Sequence, residues 1–141
     1  MATLKVTITE ELSIDGVERG STRNLDVLSV TQVDNRVVTV TNSETDIVKF
    51  GSAIGSGTFV AANVKYLRIS HTATANNLNL RILGTNEEYF VKLSGGQSFI
   101  LNNASMDAND TGSQSMTLAN ISEIKAVTNS GTVVTEIMVV S

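Results

Sequence analysis

The sequence predicts an all-β protein, an antiparallel β-sandwich of about eight to ten strands with little or no helix. Three observations carry this expectation. Val, Ile and Leu dominate a hydrophobic fraction of 41%, with Thr, Ser and Asn between them and aromatics at only 4%, a composition that suits half-buried pleated surfaces. Apolar and polar residues alternate in one segment after another, the period-2 signature of strands with one buried face. Turn residues recur at a spacing of roughly 8 to 12, as in sandwiches and barrels, and no window sustains a 3.6-residue period. Proline is absent, so no strand loses a backbone donor.

At 141 residues the chain fits a single domain over 1–141, with 1–23 as an N-terminal arm or edge strands and 102–115 as a long exposed loop. A chain of this size buries about 70% of the surface its unfolded form exposes, so it needs no staple. With no cysteine, disulfides, thiolate catalysis and Cys-ligated zinc are excluded. The net charge is −4 and the ten Lys and Arg are scattered, which leaves no footprint for nucleic acid. No apolar run reaches the ~20 residues of a membrane helix. Met1 to Lys5 leads straight into alternation without a signal-peptide pattern, so synthesis is expected in the cytoplasm.

Thr3 to Thr9 opens the chain as a half-buried strand, with Leu4, Val6 and Ile8 on one face. Asp15-Gly16 between Ile14 and Val17 predicts a tight turn, because both residues tolerate positive φ. Glu18 to Arg23 reads as a surface loop. A second strand is expected over Leu25 to Val33, with Leu25, Val27, Ser29, Thr31 and Val33 on one side. Asp34-Asn35 reads as a turn, Arg36 to Thr41 as a third strand, Asn42 to Thr45 as a turn and Asp46 to Phe50 as a fourth strand. The glycine-rich Gly51 to Thr58 lacks the Lys-Ser/Thr ending of a phosphate-binding loop and no crossover helix follows, so it reads as surface loop.

The organising stretch is Tyr66 to Leu101. Leu67, Ile69 and His71 face one way, with Tyr66, Arg68 and Ser70 opposite; Thr72 to Asn77 turns the chain. Leu78, Leu80 and Ile82 alternate with Asn79 and Arg81, and Gly84 to Glu87 turns it again. Tyr89, Val91 and Leu93 alternate with Phe90 and Lys92, and Gly95-Gly96 predicts a tight hairpin into Ser98 to Leu101. Asn102 to Ser115 is nearly devoid of apolar residues and reads as an exposed excursion. Short strands follow at Met116 to Ala119 and Ile121 to Thr128, a turn at Asn129 to Gly131, and a last strand over Thr132 to Val140. That strand is apolar on both faces, with Val133, Ile137 and Val139 against Val134, Met138 and Val140. It belongs either centrally between packed layers or half-buried in a partner subunit.

No catalytic, cofactor-binding or metal-binding residue is assigned. His71 is the one histidine, and no acid or nucleophile stands in a pattern that would position it for proton transfer, so it reads as a satisfied edge residue. Asp107, Asn109 and Asp110 have calcium-ligand chemistry but lack the loop glycine and the closing bidentate Glu, and read as solvated loop. In Glu10-Glu11 and Glu87-Glu88 neighbours point to opposite faces of a strand, which rules out a dyad on one wall. The acceptor patterns at Asn103, Asn109 and Asn120 read as chance matches. A sugar site wants an exposed aromatic platform, and the candidates are few: Tyr66, Tyr89 and four Phe.

Two groups of segments carry a family resemblance. One is Tyr66-Leu-Arg-Ile-Ser, Asn77-Leu-Asn-Leu-Arg-Ile and Phe90-Val-Lys-Leu-Ser-Gly-Gly-Gln-Ser-Phe-Ile-Leu. The other is Ile121-Ser-Glu-Ile-Lys-Ala with Gly131-Thr-Val-Val-Thr-Glu-Ile-Met-Val-Val-Ser. Together they resemble the small jelly-roll virion proteins of tailed bacteriophages, above all capsid cement (decoration) proteins and related neck or tail accessory proteins. The likeness covers roughly the second half, with a looser echo at Asp15-Gly16 and Arg36 to Phe50. It implies a structural protein rather than an enzyme, made in the host cytoplasm and fixed outside the capsid. The implied partners are the major capsid protein and further copies of the chain, a trimer in the first place, with no cofactor, nucleic acid or membrane. A receptor- or glycan-binding sandwich is the alternative of another class.

Overall fold

The computed structural model describes residues 2–84, 87–102 and 121–141. Two compact units divide them, Met1–Gln32 and Val33–Ser141. The expected calcium-type residues, the acceptor Asn positions, the strand at Met116 to Ala119 and the excursion beyond Asn102 lie outside the described residues.

The first unit is a ribbon. Strand β1 (Ala2–Glu10) pairs antiparallel with β4 (Ser21–Val30), and β2 (Ser13–Ile14) pairs with β3 (Val17–Glu18) in the chain between them. Asp15 and Gly16 both adopt positive φ, +52° and +76°, which is the tight turn that the Asp-Gly pair predicts. The loop expected over Glu18 to Arg23 shrinks to Arg19 and Gly20, because the β1–β4 ladder runs on to Glu10 and Ser21. A Cβ on Gly20 would lie 2.0 Å from the Glu10 carbonyl oxygen, so this close return admits glycine alone. The strand expected over Leu25 to Val33 ends at Val30, and its alternation breaks at a bulge. Leu4 faces Val27 but Ala2 faces Val30, and Ser29 takes up the extra residue with φ +56°. Val30 therefore replaces Ser29 on the side of Val27.

The second unit is the sandwich. Its strands are β5 (Val33–Val40), β6 (Thr45–Phe50), β7 (Thr58–Phe59), β8 (Tyr66–His71), β9 (Leu78–Gly84), β10 (Glu88–Leu93), β11 (Ser98–Asn102), β12 (Ile121–Thr128) and β13 (Val133–Val140), with one 3-10 turn at Ala61–Asn63. They form a five-stranded sheet, β10-β9-β12-β6-β7, and a four-stranded sheet, β11-β8-β13-β5. All pairings are antiparallel except β6 with the short β7. First and last strands pair, β5 with β13; then β6 with β12, β8 with β11 and β9 with β10. Such nested pairing, with successive pairs passing between two sheets, is the wrapping scheme of a jelly roll.

The inner faces meet in one core. Leu67, Ile69, Val133, Ile137 and Val139 from one sheet pack with Ile47, Leu78, Leu80, Ile82, Ile124 and Ala126 from the other, all essentially inaccessible. The alternations of β8, β9, β10 and β12 place these residues inward as the sequence predicts. The twice-apolar last strand β13 lies inside its sheet, between β8 and β5, with Val134 on its outer face left exposed.

Two expectations fail here. Asp34 and Asn35 do not turn the chain; they lie in β5 opposite Val139 and Met138, and the break between strands falls at Thr31 and Gln32. Asp34 is tolerated in the strand because Arg36 stands 3.5 Å away on the same side of it. The Arg36 guanidinium also donates to the Ile47 carbonyl in β6, joining the two sheets at their edge. Gly57, with φ +70°, makes room for it, since a Cβ there would lie 2.7 Å from Arg36 Nη1. Gly95-Gly96 does not close a hairpin either, because β10 and β11 belong to different sheets. It is a corner between layers, held by Gly96 N–H donating to the His71 carbonyl and His71 N–H to that of Gln97, each 2.9 Å. Gly95 is fixed there by the backbone of Ala73 and Thr74, 2.7–2.9 Å from where a Cβ would stand.

Candidate functional site

The side chains with most chemical capacity are the first to place. His71 ends β8, an interior strand, and is 1% exposed, so it is a core residue rather than the edge residue expected. Its Nε2 lies 3.3 Å from the Asn76 carbonyl oxygen and must carry the proton, since a carbonyl only accepts. Its Nδ1 is buried with no hydrogen-bond partner among the described residues, and so is Oγ1 of Thr135, the residue directly opposite on β13. No carboxylate or nucleophile bonds the ring among the described residues. Thr135 is fully buried, and a buried hydroxyl without a partner costs about 1–3 kcal/mol. Thr135→Val keeps the shape and removes that cost. It is expected to raise the denaturant midpoint by about 1 kcal/mol equivalent with an unchanged slope, measured by urea unfolding.

Glu10 accepts from the Ser21 hydroxyl at 2.9 Å, and Glu88 receives the Arg81 Nε at 2.6 Å; neither residue forms an acidic dyad with its sequence neighbour. Among the described residues no group of three or more His, Cys, Asp or Glu is arranged to hold a metal ion.

The outer face of the five-stranded sheet is a web of ion pairs. Lys125 on β12 lies 3.3 Å from Asp46 and Glu123 and 3.7 Å from Glu44; Arg81 on β9 pairs with Glu44 at 3.1 Å and with Glu88; Lys49 pairs with Asp46 at 2.7 Å. Lys125 and Arg81 stand directly opposite in the ladder, and Glu44 offsets their repulsion by forming an ion pair with each. Lys49 first and Lys125 second hold the Asp46 carboxyl below its ordinary 3.8, while Asp46 raises both lysines above 10.5. Asp46 thus adds stability above pH 3.8 that is lost as the pH falls through its lower folded value; the lysines add stability below 10.5 that is lost above their raised values. The double variant Lys49→Met, Lys125→Met is expected to shallow the fall of melting temperature as the pH drops below 3.8, an effect that salt shrinks in the parent.

The outer face of the four-stranded sheet differs. Val33 and Val37 on β5 and Val134 on β13 are exposed aliphatics, 64% at Val37, and the Arg68–Glu136 pair at 3.0 Å is the ion pair found on this face among the described residues. This face is thus less charged than the other and leaves aliphatic side chains in water at Val33, Val37 and Val134.

The ribbon is amphipathic in the same sense. Lys5 with Asp26, Thr7 with Asn24 and Thr9 with Thr22 make one polar face, where Thr7 Oγ1 donates to Asn24 Oδ1 at 3.0 Å. Leu4 with Val27, Val6 with Leu25 and Ile8 with Arg23 make the other. Ile8, Leu12, Ile14, Val17 and Leu28 remain exposed, from 42% at Ile8 to 64% at Leu28. A two-stranded ribbon has no second layer within itself to bury such residues.

The expected sugar platform is mostly occupied by folding. Tyr66 is buried, and burial raises the Tyr89 hydroxyl to about 12. Phe90, 66% exposed on the edge strand β10, is the exposed ring among the described residues. Alternation along β10 would have placed it outward, though nothing in sequence marked that face as wet. No family profile, curated protein or solved structure matches the chain.

Proposed function

We propose that this chain is a structural protein of a tailed-phage virion, foremost a capsid cement protein that sits on the outside of the head and bridges capsomers. Its partners are then the major capsid protein and further copies of itself, a trimer in the first place. The observation that carries the reading is the exposed amphipathic ribbon of Met1–Gln32, which offers apolar side chains and backbone edges to a neighbour. A jelly-roll sandwich supports it as a scaffold common to capsid and lectin domains, though a fold alone assigns no role. Contact over a large area, typically more than about 1,200 Å² in total, would do the work, with no reaction involved.

The test is binding of purified protein to expanded phage heads, followed by sedimentation and cryo-electron microscopy. Ordered density at fixed lattice positions, with heads surviving hotter, supports cement function. Density at the neck or tail instead moves the protein to the accessory class, and failure to sediment with any particle part overturns the reading. Phe90 is the observation behind the receptor or glycan alternative, and glycan-array binding abolished by Phe90→Ala would favour it.

A further inference from the structure

We infer that β5 is a self-pairing edge, through which two copies of this chain join their four-stranded sheets antiparallel about a two-fold axis. The inference rests on the reading of the protein as a self-assembling structural component and names the surface by which copies meet. The sandwich has four sheet edges: β7, β10, β11 and β5. β7 is two residues long, and β11 offers five against the eight of β5. β10 exposes Glu88 and Lys92 on its solvent side, the usual guard against edge pairing.

β5 has no such guard on its outer face. It runs eight residues, in unbroken register with β13 from Val33 opposite Val140 to Val40 opposite Val133. Its solvent row is Val33, Asn35, Val37 and Thr39, uncharged and exposed throughout. Its two charges, Asp34 and Arg36, turn to the other side and are already engaged there, with each other and with the Ile47 carbonyl. Among the described residues no backbone group of β5 bonds to a strand other than β13. An edge of this length, uncharged on its outer row and with free N–H and C=O groups, takes a strand.

The sequence of β5 selects a second β5 and its register. Directly opposed residues in an antiparallel pair share a face, so a two-fold must sit on a residue of the strand. A centre at Asn35 or Val38 shortens the ladder to 33–37 or 36–40. A centre at Arg36 sets two guanidinium groups opposite each other, which repels. A centre at Val37 keeps the ladder from 34 to 40, puts Val37 on Val37, and opposes the Asn35 amide to the Thr39 hydroxyl. The contact is isologous and closes after two copies, so in a threefold assembly it links one trimer to the next.

The chain has no cysteine, so Val37→Cys introduces a sole thiol at an exposed position. Opposed residues have Cα atoms about 4.5–5.5 Å apart, within the range that a disulfide spans. Copper-phenanthroline oxidation of full-length Val37→Cys should give covalent dimer at least about tenfold faster than Asn35→Cys, whose two thiols would be offset along the ladder. The pair Asn35→Cys, Thr39→Cys should restore fast cross-linking. Equal rates, or none, overturn the β5 contact. Light scattering on the unmodified protein then separates the two failures, since an oligomer leaves the assembly reading standing and a monomer removes it as well.

Discussion

Replacing Ile137 with alanine is expected to cost about 2–5 kcal/mol of folding stability, against about 5–15 for a whole domain. Ile137 sits at the middle of β13, fully buried, with Ile69 opposite on one side and Arg36 on the other. Both neighbouring strands and the facing sheet close on it, so the deleted atoms leave a cavity that the close-packed surroundings fill only in part. Val134→Ala is the matched control, since the same strand carries Val134 on its outer face at 44% exposure. There the expected change is within about 0.5 kcal/mol. Urea unfolding of the two variants checks the register of the central strand directly. A reversed order of effects would mean that β13 faces the other way.

Which of Ile137 and Val134 is buried was not legible in the sequence, because β13 is apolar on both faces. Where one face of a strand alone is apolar, alternation reports the buried side, as at Leu67/Ile69 and Leu78/Leu80/Ile82; Ile121 and Ile124 both reach the core three residues apart because the ladder to β9 shifts register between Ile121 and Glu123. The failures fall where a residue's partner lies far along the chain. Asp34-Asn35 has turn chemistry but stands opposite Val139 and Met138, more than a hundred positions away, and Arg36 neutralises the acid from within the same strand. Gly95-Gly96 has hairpin chemistry, yet the strands it joins pair with β9 and β8 in different sheets. The bulge at Ser29 shifts Val30 to the side of Val27, which no period-2 reading can foresee. His71 looked peripheral because it ends a strand; the corner that follows buries it under Gly96 and Asn76. The contrast between a charged and an apolar outer face had no sequence signal, because it depends on which strands become neighbours.

Removal of residues 2–32 is expected to leave a sandwich that still unfolds cooperatively while abolishing attachment to the particle. The first half of the expectation follows from the sandwich's own core cluster, whose buried members run from Val40 to Val139. The jelly-roll pairings likewise involve only β5 onward, so no strand of either sheet is lost. The second half follows from the proposed function, in which the ribbon supplies apolar contact that it cannot satisfy within itself. Truncation removes a whole unit, so a gentler variant is needed to separate lost contact from lost folding. Ile8→Asp with Leu28→Asp places charge at two exposed positions, where surface substitutions change stability by about 0.5 kcal/mol or less each. A carboxylate trapped in a dry interface without a partner is far more costly than one left in water. The double variant should therefore melt like the parent and fail to sediment with expanded heads. Parent-like attachment of that variant would remove the ribbon from the contact and leave the apolar face of the four-stranded sheet, with Val33, Val37 and Val134, as the surface that meets the capsid.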